Sequence, residues 1–79
     1  MAQQYRYKEM VRGIESACIS KVIDEFVHKK RDREIIKLSL LDDISYTHIA
    51  DIIEPWVSPR TIQDIMNRWM PLILDHLKR

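Results

Sequence analysis

An all-α fold is what this sequence predicts, on three observations. A single glycine in 79 residues leaves few positions for the tight turns that β-hairpins need. Apolar residues recur at three- and four-residue spacings, with no sustained alternation. Two serine-led start signals, at Ser45 and at Ser58-Pro59, stand directly before periodic segments. Four or five helices are expected, a long N-terminal one and a closing pair joined by a short turn. They form one domain over residues 1–79, because typical domains run to about 100–150 residues. Hydrophobic content of 46% beside 32% charged residues is the balance of a globular chain, not a disordered one.

Residues 5–29 read as one long helix, with Tyr7, Val11, Ile14, Cys18, Val22 and Phe26 forming an apolar stripe. Gly13 inside it costs about 1 kcal/mol relative to alanine. Ile19 and Ile23 widen the apolar face beyond what one partner helix covers. A helix of that span is about 37 Å long, more than a small core needs behind it, so either its first turns fray or it packs against a second copy in a homodimer through residues 5–29. Cys18, on the stripe, is expected to act as a small core hydrophobe. As the sole cysteine it allows neither an internal disulfide nor a thiolate metal cage.

The run His28-Lys29-Lys30-Arg31 has two readings. It is a helix C-terminus whose cations complement the dipole, or a patch that contacts phosphates. Asp32 is positioned to cap the next helix, into which Ile35, Ile36, Leu38, Leu40 and Leu41 crowd, placing it centrally. Asp42-Asp43 ends it. Ser45 caps a short helix that turns Ile49, Ala50 and Ile53 inward. Glu54-Pro55-Trp56-Val57 forms the turn, because Pro55 cannot continue a helix and disfavours helical geometry at Glu54. Ser58 then caps the last helix with Pro59 at its first position. Ile62, Ile65, Met66, Trp69, Ile73 and Leu77 give that helix a continuous core face, and Pro71 should kink or break it near Trp69-Met70.

Ser45 to Trp69 thus has the build of a helix-turn-helix: a small residue, Ala50, where the second helix crosses closely, with Ile49, Ile53, Val57, Ile62 and Ile65 packed around the turn. Over residues 32–77, the segments REIIKLSLLDDISYTHIADII and VSPRTIQDIMNRW resemble the region-4 domain of bacterial sigma factors and the small phage late-gene regulators of the ArpU type. In that family a leucine-rich helix precedes the pair, a polar-aromatic Ser-Tyr opens its first helix and Ile-Ala sits in its middle. Ile35–Leu41, Ser45-Tyr46 and Ile49-Ala50 match these features. The resemblance implies a DNA-binding transcription regulator, phage or prophage derived, that reads the major groove with the helix over residues 58–70.

On that expectation Ser58 and Thr61 meet phosphates at the helix start. Arg60 and Gln63 suit guanine and adenine edges, with Asn67 and Arg68 on or beside the same face. Tyr46, Thr47 and His48 clamp the backbone, and Lys29, Lys30 and Arg31 add phosphate contacts. Plain capping by Ser58 and Thr61, and ordinary solvated surface at Arg60 and Gln63, are the bland alternatives. Trp56 either staples the turn to the core or anchors a partner. Trp69, on the apolar stripe, is expected in the core.

Charge distribution weighs the other way. Residues 1–33 hold eight Lys or Arg against five acids, and residues 34–79 five against seven. The expected reading half is therefore slightly acidic, although phosphate neutralisation dominates DNA affinity. A protein-interaction module is the competing expectation: a sigma-like domain that binds RNA polymerase, or a small phage inhibitor or assembly subunit. No enzyme is expected, since the chain has no H-E-x-x-H, glycine-rich phosphate loop or nucleophile motif. His48 and Asp51 at a three-residue spacing are common surface decoration. No metal and no cofactor are expected. The expected partner is double-stranded DNA, with no membrane, and without a signal peptide or a spanning apolar run the expected location is cytoplasmic.

Overall fold

The computed structural model describes residues 7–54 and 56–78, so the Tyr5 start of the expected long helix and the Pro55 turn position lie outside the described residues. Those residues are all-helical. A helical segment at 7–10 is followed by α1 (Ser16–Phe26), α2 (Lys30–Leu40), α3 (Tyr46–Ile52) and α4 (Pro59–Leu77).

The N-terminal half departs from the expected single helix. Gly13 adopts φ +85°, a left-handed conformation that a side chain disfavours, and Glu15 is extended at φ −60°, ψ 138° as the cap of α1. The chain therefore turns before Ser16. α1 ends at Phe26, because the next residue, the fully buried Val27, is extended at φ −97°, ψ 102°. The break also shifts the buried register by one position. Ile19, Ile23 and Val27 face the core, whereas Cys18 is exposed, which corrects its expected role. With the long helix gone and Ile19 and Ile23 buried within the chain, the length argument for a homodimer through residues 5–29 has no basis.

α4 organises the rest. At about 28 Å for its 19 residues, it nearly spans the 33 Å long axis of the molecule, and α1, α2 and α3 all pack against it. Ile62, Met66, Met70 and Ile73 are fully buried along it, against Ile23, Ile35, Ile36 and Ile49 from the other three helices. Each such side chain contributes about 1.5–3 kcal/mol of burial. The 11.5 Å radius of gyration is what one tightly packed domain of this length should have, about 11.6 Å.

α4 is not interrupted at Pro71, so of the kink or break expected near Trp69-Met70 the break does not occur. The carbonyl that loses its donor belongs to Asn67, four residues earlier. Both Asn67 and Pro71 are exposed, so the carbonyl lies on the side of the helix that solvent reaches. The caps behave as expected. Ser45 Oγ accepts from the His48 N–H at 3.3 Å and Ser58 Oγ from the Thr61 N–H at 3.2 Å, with Pro59 opening α4. Asp43, at φ 61°, turns the chain after α2, and Lys8 pairs with it. No helix among the described residues is long and apolar enough to cross a membrane.

Candidate nucleic-acid interface

α3 and α4 form a helix pair about the buried Ile49, Ala50, Ile53 and Val57. The alanine allows the close approach that the pair needs. With Ile62, Ile65, Met66, Met70 and Ile73 turned inward, helical geometry directs Arg60, Asp64, Asn67 and Arg68 outward, and all four are exposed. Gln63 and Thr61 are half-buried on the flanks of that face.

The basic run is not at a helix C-terminus, contrary to one reading of the sequence. Lys29 is the N-cap of α2, and Lys30 and Arg31 open its first turn. Cations there oppose the positive end of the helix dipole, so the run does not serve helix stability. None of Lys29, Lys30 and Arg31 makes an ion pair among the described residues. An open cleft of ≈ 280 Å³ joins this tip to α4, lined by Lys29, Arg31 and Asp32 from one side and Thr61, Asp64, Ile65 and Arg68 from the other. The fold thus brings Lys29 and Arg31 to one surface with Arg68, while the exposed Arg60 does not line that cleft.

Asp32 does not cap α2 as expected. It lies in the first turn with 2% exposure, where its carboxylate accepts a hydrogen bond from Trp69 Nε1 at 3.0 Å. Trp69 itself is half-buried against the core rather than inside it. The bond sets the position of the basic tip relative to α4. Asp32 was not legible as part of this surface. The only signal was an acid amid four cations at 29–33.

Other expected site residues fare differently. Tyr46 is buried at 7% exposure and cannot clamp a phosphate backbone, because it turns inward from the first position of α3. Burial pushes its phenol up to about 12; the nearby Tyr7 adds to this, and a hydrogen bond with Ser39 acts against it. Thr47 and His48 are exposed at the start of α3 but do not line the cleft. The Ser58 hydroxyl is engaged with Thr61, whose Oγ1 lies 3.0 Å away, so it serves as a cap. Asn67 Oδ1 accepts from the Tyr7 hydroxyl, which ties this residue to the N-terminal segment. Trp56 is 65% exposed and staples nothing to the core, with Ile52 nearby in sequence at 50%. No protein-family model, curated protein or solved structure matches the chain.

Proposed function

We propose that this protein is a DNA-binding transcription regulator, of the phage type that its resemblance to sigma region 4 implies, which works as a binding protein in the cytoplasm without catalysis or cofactor. α4 enters the major groove by its N-terminal half, presenting Arg60 with Gln63 beside it. The tip of α2 grips the adjacent backbone with Lys29, Lys30 and Arg31. Thr61 and Arg68 line the path between the two.

One observation carries this reading: the cleft that unites Lys29 and Arg31 with Thr61 and Arg68. Its lining sets three cations against Asp32 and Asp64, a small positive balance where residues 34–79 are acidic, and the charge that matters is the charge on one surface and not in one stretch of sequence. Cations that make no ion pair among the described residues, at a helix end that disfavours them, are suited to phosphates.

Fluorescence anisotropy with a generic duplex across a salt series tests it. Neutralising about four phosphates gives a slope near −3.6 in log affinity against log salt. Undetectable binding at low salt, or binding indifferent to salt, overturns it. Such a result would favour the second reading, a module that docks on a protein such as RNA polymerase or serves as a small phage inhibitor or assembly subunit. The exposure of Trp56 and Ile52 speaks for that alternative.

A further inference from the structure

Asp64 stands at the centre of the outward face of α4, where a carboxylate is the least expected group on a surface that meets phosphates. Nothing within the described residues uses its charge. Arg60 and Arg68 lie one turn to either side, about 6 Å along the axis, and Asp64 makes an ion pair with neither. It shares the cleft with Lys29 and Arg31 and pairs with neither of those. Six residues beyond the Ser58 cap, it lies past the first turn in which a carboxylate gains from the helix dipole.

We propose that Asp64 is a specificity-determining residue that accepts a hydrogen bond from the exocyclic amine of a cytosine in the major groove. The inference rests on the DNA reading above and deepens it. An ionised carboxylate only accepts, so it needs a donor. Major-groove base edges offer two, the N4 amine of cytosine and the N6 amine of adenine. Adenine sets its N7 acceptor beside the amine, which repels a carboxylate and suits an amide instead. Cytosine carries no acceptor beside the amine on its own groove edge, and only the O6 of its paired guanine lies next to it. The flanking Arg60 suits the O6 and N7 acceptors of guanine, which pairs with cytosine, so the two residues together favour G·C pairs. Away from its site the same carboxylate repels the backbone, lowering affinity for generic DNA and widening the gap between right and wrong sequences.

The test selects duplexes from a pool with a randomised centre, using the intact chain, and then measures each base-pair replacement in the recovered sequence with wild type, D64N and D64A. Wild type should lose about tenfold at one C·G pair. Both variants should bind generic duplex more tightly and lose discrimination at that pair alone, with an unchanged melting temperature. A uniform gain in affinity with the preference intact overturns the inference and leaves DNA binding standing, as does a wild type that binds with steep salt dependence but no base preference. A wild type that binds no duplex overturns both.

Discussion

The Asp32 carboxylate and the Trp69 indole meet at 3.0 Å, joining the first turn of α2 to the middle of α4 across 37 residues of sequence. Asp32 is 98% removed from solvent, and such an acceptor is tolerated only when it has a donor. Asp32→Ala should destabilise the fold by about 1–3 kcal/mol, since it strands the indole N–H. Thermal melts should register this as a drop of about 4–8 °C per kcal/mol. Asp32→Asn keeps an acceptor and should lose less. An Asp32→Ala protein that melts with wild type would show that the bond holds nothing.

Replacing Lys29, Lys30 and Arg31 together with glutamine separates binding from stability. Removing cations from the start of α2 relieves the unfavourable dipole interaction, so the melting temperature should hold or rise slightly. The salt slope for duplex DNA should fall by about three, one for each phosphate left without its cation. A destabilised triple variant with an unchanged slope would assign the run a structural task.

Ser58→Ala removes the acceptor for the Thr61 N–H and should cost about 1 kcal/mol, with Ser58→Asp close to wild type. Urea unfolding at constant m-value measures it. Because α4 carries much of the core, the loss should appear in global unfolding and not as fraying alone. Fraying confined to residues 58–61 by hydrogen exchange would contradict that.

Tyr46 sets an alkaline limit. Its phenol titrates at about 12 in the fold against 10.0 when unperturbed. Between those values the folded chain holds a proton that the unfolded chain has released, so stability falls as pH rises from 10 toward 12. It is unaffected by this group below pH 10. Tyr46→Phe should show a shallower loss over that window in urea melts taken at stepped pH. Parallel curves for the two proteins would remove Tyr46 as the cause.

Much of the C-terminal half was legible because its signals are local. Ser45, Ser58 and Pro59 act within three residues of themselves, and the spacing from Ile62 to Ile73 needs only the helical period. The N-terminal half misled for a physical reason. Its apolar residues keep helical spacing straight through Gly13, so nothing in the pattern reports that the backbone turns there. The register moved from Cys18 to Ile19 as a result. Pro71 misled because the cost of proline depends on whether water can reach the carbonyl it orphans, which is a property of the packed molecule. The cleft was illegible altogether, since Lys29, Arg31 and Arg68 become neighbours only once α2 crosses α4.

The Asp32–Trp69 bond also gives the molecule a built-in optical probe. Its two tryptophans differ in setting, Trp56 largely bathed in water and Trp69 half-shielded with its ring nitrogen held by a residue of the cleft wall. In a Trp56→Phe chain, ultraviolet emission would come from the shielded indole alone. Its wavelength and intensity would then follow occupancy of the neighbouring basic surface without any attached dye.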